Sequence, residues 1–467
     1  MTAFSLRRTP LAVAVCSAVL CAPVGADDLF DDIAPARDLY TAGAGYVLHG
    51  FDVAALPDGH FAVVWEETND SDDMDYVRLA RFDAEGDPVG DIVTVAEDMY
   101  TSLPLRDPVV AADASGDMVV AWNVEEVTYD RDCFGVHYKR VSREDVVSEE
   151  SYLNYENSGR ECHVRVAMND QGAFVLGWYA TGYQVPPRYM ASTFNADGTA
   201  ISSSPVLVND VFDGIILPPA LTMQGDTFTL AWTGPQGRLL AQRYNVNGTA
   251  LADSFRLDND EYSGPSVSQA YPALAGDEEG GFVGFWYQAE PDGEDGADYH
   301  QLGHRWAADG TAVAALEAGD DPVRGVAGEL APISVATDGD GLILAGWSFV
   351  NIDADPMRQE SRVAAFRDGQ RLGDGPVTVA TTGEDTEVYS DLTRVVISGD
   401  TATVLWYQQE SGENAVIRAR SVKVSEPAAE APAPGGDDNG GGGSSGGASG
   451  PLVLLGLGLL ALRRRLR

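Results

Sequence analysis

Seven tryptophans, Trp65, Trp122, Trp178, Trp232, Trp286, Trp347 and Trp406, stand 57, 56, 54, 54, 61 and 59 residues apart, and each closes a short apolar run. The runs read FAVVW, MVVAW, FVLGW, FTLAW, FVGFW, LILAGW and ATVLW, and glycine-bearing turns such as Pro57-Asp58-Gly59, Ser115-Gly116 and Asp338-Gly339 precede them. A period of this length marks one supersecondary unit that cannot bury its own apolar face and must stack on its neighbours.

Each unit carries four strand signals. A run with small residues (Val109-Val110-Ala111-Ala112) comes first, the tryptophan run second, a third run follows (Val77 to Phe82, Leu239 to Tyr244, Gln301 to Trp306), and a fourth closes the unit (Asp91 to Val95, Val377 to Val379). Between the third and fourth lies a recurring turn, Asp83 to Gly86, Asn195 to Gly198, Asn245 to Gly248 and Ala307 to Gly310, whose Asx side chains and terminal glycine supply local hydrogen bonds and positive φ. Four strands per unit without an amphipathic helix predict propeller blades. The last unit runs out after three strands, near Val424, while the segment Asp38 to Ala42 matches the pattern of Asp91 to Val95. The expectation is therefore an all-β, seven-bladed β-propeller over residues 27–424, its ring closed by an N-terminal strand that completes the last blade and removes an open edge. The tryptophans are expected to pack between blades rather than stack on a ligand. An eighth blade would need another repeat, and none is visible.

The two ends of the chain read as addresses. Residues 1–26 carry Arg7 and Arg8, an apolar stretch and Val24-Gly25-Ala26, the pattern of a secretory signal peptide. At the other end a Pro/Ala and then Gly/Ser-rich linker, residues 425–450, leads into the apolar run from Pro451 to Leu462 and a terminal cluster of arginines. Twelve helical residues reach only about 18 Å, short of the roughly 30 Å hydrocarbon core, so this run spans a membrane only by recruiting the glycines before it. This tail resembles the GlyGly-CTERM sorting signal over residues 435–467. The resemblance implies a transient inner-membrane anchor at 451–467, cleavage by a rhomboid-like protease, and delivery to the surface or exterior of a Gram-negative bacterium.

Acids outnumber bases 72 to 30, and the formal charge of −42 falls to near −48 once the six arginines of the leader and tail are removed. Nucleic acid is excluded as a partner on that balance. Only two lysines, Lys139 and Lys423, stand among the basic residues. Acid excess with almost no lysine suits a surface that stays hydrated in concentrated salt.

Candidate sites follow from the loops. Cys133 and Cys162, the two cysteines of the mature chain, are expected to pair in an oxidising compartment, closing a loop that contributes roughly 3–4 kcal/mol in the chain-entropy picture. The loops after the tryptophan strands are acidic: Asp70, Asp72, Asp73 and Asp75 in the first, Asp292, Asp295 and Asp298 in the fifth, Asp353 and Asp355 in the sixth. Oxygen ligands at alternating positions are what Ca²⁺ takes, although solvated acidic loops are the plainer reading. The third loop offers Tyr179, Tyr183 and Arg188 as a stacking and hydrogen-bonding set for a sugar. His300 and His304 lie about 13 Å apart on a strand, too far for one metal. The sialidase turn motif, S-x-D-x-G-x-T-W, is not matched, and no nucleophile triad or phosphate loop is present.

Two functions remain open. One is an exported, non-catalytic binding module that holds a glycan or protein on its loop face, with no catalytic residue and no certain cofactor. The other is an extracellular carbohydrate-active hydrolase or lyase that uses loop carboxylates. The acid excess makes its own prediction: the melting temperature of the mature domain falls on dialysis from molar salt into dilute buffer, and an unchanged value removes the high-salt reading.

Overall fold

The structure, a computed structural model, describes residues 33–424 apart from 100–103, 127–131, 154–158, 183–184, 203, 209–216, 258–268, 278–279, 292–296, 326–330, 352–357, 382–391 and 410–413. The described residues form seven antiparallel sheets in a ring, and no helix among them is long and apolar enough to cross a membrane. The leader and the tail at 451–467 lie outside them.

Blade one shows the plan. Its first strand, Tyr46–Ala55, pairs with the tryptophan strand Phe61–Asn69, which pairs with Met74–Phe82 and then Val93–Met99. The first strands of successive blades lie against one another all round the ring, so they form its inner wall. The seventh sheet is ordered Arg37–Thr41, Val416–Lys423, Thr401–Gln408, Thr393–Ser398, so the N-terminal strand completes the last blade. The register Arg37↔Ala419 to Thr41↔Val416 joins the two ends of the domain, and the Ala42 amide extends the ladder to the Ala415 carbonyl. Blade five departs from the expected four strands: Val323–Gly325 adds a fifth, paired to the N-terminal end of Ala297–Trp306.

All seven tryptophans are at most 3% exposed. Their packing has a direction. Trp122 sits in a cluster with Val64, Val77 and Leu79 of blade one, Trp178 with Val119, Ala121 and Val136 of blade two, and Trp232 with Val175 and Tyr179 of blade three. Trp65 does the same across the closure, against Leu405 and Ile417 of blade seven, and its ring lies 4.4 Å from that of Tyr40 of the closing strand, tilted by 35°. Trp286 and Trp347 follow the same rule, in clusters with Leu239 of blade four and Phe285 of blade five, so these six indoles reach back onto the blade before.

Arginines near the end of the third strands reach forward. Arg81 of blade one gives Nε to Asp145 at 2.8 Å and its other nitrogens to the carbonyls of Gly116 (3.2 Å) and Ser142 (2.7 Å), all in blade two. Arg140 donates to the Ala196 carbonyl of blade three, and Arg243 of blade four to the Gly280 carbonyl of blade five. The Ala196 carbonyl belongs to the recurring Asx-glycine turn, closed by Gly198 at φ +83°, whereas Gly116 and Gly280, at φ +90° and +82°, belong to the turns that precede the tryptophan strands.

Charge-assisted bonds from a guanidinium that is mostly buried are worth more than an exposed ion pair. Arg81→Ala is therefore expected to cost about 2–3 kcal/mol in urea unfolding. Arg37→Ala, which removes only the exposed pair with Asp87, is expected to cost about 0.5 kcal/mol or less.

Candidate functional site

Where the first strands converge, a pit of about 350 Å³ opens on the ring axis, lined by residues of all seven blades. Its wall follows one register. The residue cross-strand from the one preceding each tryptophan is Asp52, Val109, Arg165, Ala220, Ala273, Ser334 and Arg394 in blades one to seven. Two residues earlier stand Gly50, Asp107, His163, Pro218, Tyr271, Pro332 and Leu392, which form a second tier of the same pit. Two residues later come Ala54, Ala111, Ala167, Ala275 and Ala336, with Thr222 and Val396, on the same strand faces. Small side chains there allow the seven strands to close up beneath the pit.

The pit has two unlike halves. Blades seven, one, two and three supply Arg394, Asp52, Asp107, His163 and Arg165, whereas blades four to six supply Pro218, Pro219, Tyr271, Pro272, Pro332 and Ile333. In blades two, three and five the tier-forming residue sits in a β-bulge, and its backbone is left-handed: φ is +51° at Asp107, +56° at His163 and +55° at Tyr271. Such a conformation costs of order 1 kcal/mol or more for a non-glycine residue, and it recurs at functional sites.

Several of these groups have capacity to spare. Asp52 is occupied: Arg394 Nε lies 3.3 Å from its Oδ1 and the Val110 amide donates to Oδ2 at 3.1 Å. Arg165, by contrast, forms no ion pair among the described residues, and its hydrogen bond goes to the Val164 carbonyl at 2.8 Å. The carboxylate of Asp107, the imidazole of His163 and the hydroxyl of Tyr271 form no hydrogen bond to a described residue. Burial lowers the His163 imidazole below its usual value, with Arg165 pushing the same way and Asp107 opposing. Burial likewise lowers Arg165, opposed by Asp107 and Asp52 and assisted by Arg394. It raises the Tyr271 hydroxyl, and Tyr299 adds to the shift.

Behind Asp107 lies a buried charge network. Arg106 bridges Glu66 at 2.5 Å, Asp75 at 3.3 Å and Glu125 at 3.2 Å, and Glu66 Oε2 accepts the Asp107 amide at 3.2 Å. Burial pushes the Glu66 carboxyl above the ordinary range while Arg106 pulls it back. Glu66 is 1% exposed, so it positions the strained Asp107 rather than meeting a ligand.

The disulfide is formed, with Cα atoms of Cys133 and Cys162 5.2 Å apart. It ties the third strand of blade two, Asp132–Val141, to the first strand of blade three at the residue before His163. Other sequence candidates are placed differently. Asp75 does not join Asp70, Asp72 and Asp73: it is fully buried and accepts from Thr68 Oγ1 at 2.5 Å, the Leu105 amide at 3.1 Å and Arg106. Among the described residues no three His, Cys, Asp or Glu side chains converge as a metal set. Asp298 sits on a strand opposite Glu290 and Arg324; Asp292, Asp295, Asp353, Asp355 and Tyr183 lie outside the described residues. Tyr179 is 1% exposed and edge-on to Tyr189 at 5.6 Å, so its ring is not presented to a sugar; Arg188 lies on the adjacent strand, cross-strand from Ala180 and next to the pair Tyr179↔Tyr189.

The pit residues were missed as a set, yet a signal exists. Asp52, Val109, Arg165, Ala273 and Ser334 stand 13 residues before their tryptophans, while Ala220 and Arg394 stand 12 before theirs. The shorter count falls in blades four and seven, whose hairpins turn over two residues, Gly225-Asp226 and Gly399-Asp400.

No known protein-family model matches the chain, and no curated protein matches it in sequence. Several solved structures are similar in outline. One is a protein of unknown function from Dyadobacter fermentans, at 11% identity over 84% of this chain and 99% of that one, with a TM-score of 0.48. Another is an ulvan lyase of polysaccharide lyase family PL25, at 12% identity over 77% and 89%, with a TM-score of 0.45. A third is an α-L-arabinanase from Penicillium chrysogenum complexed with arabinobiose, at 10% identity over 84% and 98%, with a TM-score of 0.47. At such identities and scores these likenesses decide neither the ligand nor the chemistry of this chain.

The electrostatics of the pit predict how His163 titrates. Its imidazole signals in NMR, assigned with a His163→Gln variant, should show a midpoint below the ordinary 6.5. Arg165→Ala should raise that midpoint by removing a repelling charge, and Asp107→Asn should lower it by removing an attracting one.

Proposed function

We propose that this protein is an extracellular carbohydrate-active enzyme whose site is the axial pit. One observation carries the reading. Asp107, His163 and Tyr271 occupy the same register in three blades, on strained backbone, with side-chain polar atoms that bond to no described residue; Asp107 and His163 stand beside Arg165, across the pit from the proline-rich wall that carries Tyr271. A sugar ring has an apolar face and a polar rim, which matches the two halves of the pit. The shifted affinities of His163 and Tyr271 for protons, in a concave site, favour acid–base chemistry over passive holding. The carboxylates of the acidic loops are not needed for this reading. The non-catalytic alternative, a module that only retains a glycan or protein, would use the same face without turnover.

Export by the leader and sorting through residues 435–467, with release by a rhomboid-like protease at the surface of a Gram-negative cell, belong to the same proposal. So does Ca²⁺ at Asp70, Asp72 and Asp73, as a loop stabiliser rather than a participant.

The test is to incubate the full chain with a panel of neutral and acidic polysaccharides and to follow retention and the release of new chain ends together. Release is the expected result, and Ala273→Trp, which drives an indole into the pit, should abolish it while circular dichroism stays unchanged. Retention without release would return the protein to the binding class, and full activity in the plugged variant would move the site elsewhere.

A further inference from the structure

Resting on the carbohydrate reading, we infer that the sugar accepted by the pit carries a carboxylate and that its glycosidic bond is broken by β-elimination: Arg165 holds the carboxylate, His163 takes the proton beside it, and Tyr271 protonates the leaving oxygen.

The division of labour among the charges points there. Glycoside hydrolysis in its usual form needs two carboxyl groups flanking the bond, one as acid and one as base or nucleophile. The pit tiers hold two aspartates, but Asp52 is committed to Arg394 and to the Val110 amide. That leaves Asp107 alone. Arg165 is the cation with capacity to spare, since its neighbour Arg394 already has a carboxylate partner. A guanidinium with unused N–H groups is the complement of a planar carboxylate.

A uronate is the sugar for which that fork does chemical work. Neutralising the carboxylate makes the hydrogen on the adjacent carbon acidic. The proton moves to a His163 ring nitrogen, a double bond forms between C4 and C5, and the C4–O4 bond breaks. The leaving O4 takes the proton of the Tyr271 hydroxyl. No water, oxidant or cofactor is consumed, and the products are an unsaturated uronate and a new hydroxyl end. Imidazolium and phenolate then return to their starting forms by proton exchange through solvent.

The placement suits the step. His163 and Tyr271 hold the same register in blades three and five, with Pro218 and Pro219 of blade four between them. A ring standing against that apolar wall has a base on one flank and an acid on the other. Asp107, on the far side of His163 in blade two, stabilises the imidazolium as it forms. The shifts already described leave His163 unprotonated and Tyr271 protonated near neutral pH; the other charges facing them are Arg165, Asp52 and Arg394, with Tyr299 behind Tyr271.

The full chain should be assayed on pectate, alginate, chondroitin sulfate and heparan sulfate, each beside its carboxyl-reduced form, by the ultraviolet absorbance of the unsaturated uronate. Absorbance should grow with at least one acidic polymer and with none of the reduced ones. Tyr271→Phe and His163→Ala should lower kcat about 100-fold or more with little change in KM, whereas Arg165→Ala should raise KM about tenfold or more, all with unchanged circular dichroism. New reducing ends without absorbance would leave a carbohydrate-active enzyme and overturn the elimination. Absence of both signals on acidic and neutral chains alike would overturn both readings, and full turnover in Tyr271→Phe or His163→Ala would overturn the assigned roles.

Discussion

The packing of blade tryptophans onto the blade before them is the interaction on which the rest of this molecule depends. A single four-stranded blade has two apolar faces and no way to cover either, so its stability lies in its neighbours. An indole placed at one register in every blade makes that dependence directional. Trp122 needs blade one, Trp178 needs blade two, and Trp65 needs blade seven. A chain of such dependences has a first member with nothing behind it unless the chain closes. The strand Arg37–Thr41 supplies the closure, and Tyr40 packs against Trp65 at the seam, so the same contact that stacks the blades also secures the ends.

Closure fixes the site as well. Seven first strands drawn to one axis must converge, and the tier of alanines shows the steric cost of doing so. Above that tier the strands diverge enough for larger side chains, and there the blades stop resembling one another. The tryptophan position is uniform because every interblade contact is the same problem. The two tiers of the pit vary from glycine and proline to aspartate, arginine and tyrosine because no interblade contact constrains them. Variation confined to two adjacent tiers of a repeat, beside a tryptophan register that stays uniform, is what a site built on a rigid ring looks like.

How much of this the sequence disclosed follows from the same distinction. The blade count, the latch and the tryptophan cores were legible because they repeat, and repetition can be read without knowing distances. The cysteine pair was legible because its two positions fall on one face of any such ring. The pit was not, since its residues share neither type nor apolar character; only their count back from the tryptophan is common, and the two-residue turns of blades four and seven shift that count by one. Asp75 misled for a related reason. It reads as the end of an acidic loop, yet strand alternation turns it inward, where Thr68, Leu105 and Arg106 consume both oxygens. Tyr179 misled likewise, because the residue after a tryptophan on a strand faces the next blade and is buried there. Blade five's extra strand has too short a run, Val323 to Gly325, to register as a periodic signal at all.

The bulges argue that the pit is more than a leftover of convergence. A ring needs no left-handed residue on its axis: blades six and seven bring Pro332 and Leu392 to the same tier without one, and blade one uses Gly50. Aspartate and histidine tolerate positive φ better than most residues, but tyrosine does not, and Tyr271 pays the larger steric penalty. Local means of holding these conformations are present. The Asp107 amide is captured by Glu66, itself fixed by Arg106, and the strand before His163 is tied down by the disulfide at Cys162. Burying Glu66 and Asp75 around one arginine is costly in its own right, since a charge loses its hydration on leaving water. Two costs in series, strain on the axis and desolvation behind it, have no return in stability. They bring Asp107, His163 and Tyr271 to the lining of one small volume beside Arg165, an arginine that forms no ion pair among the described residues.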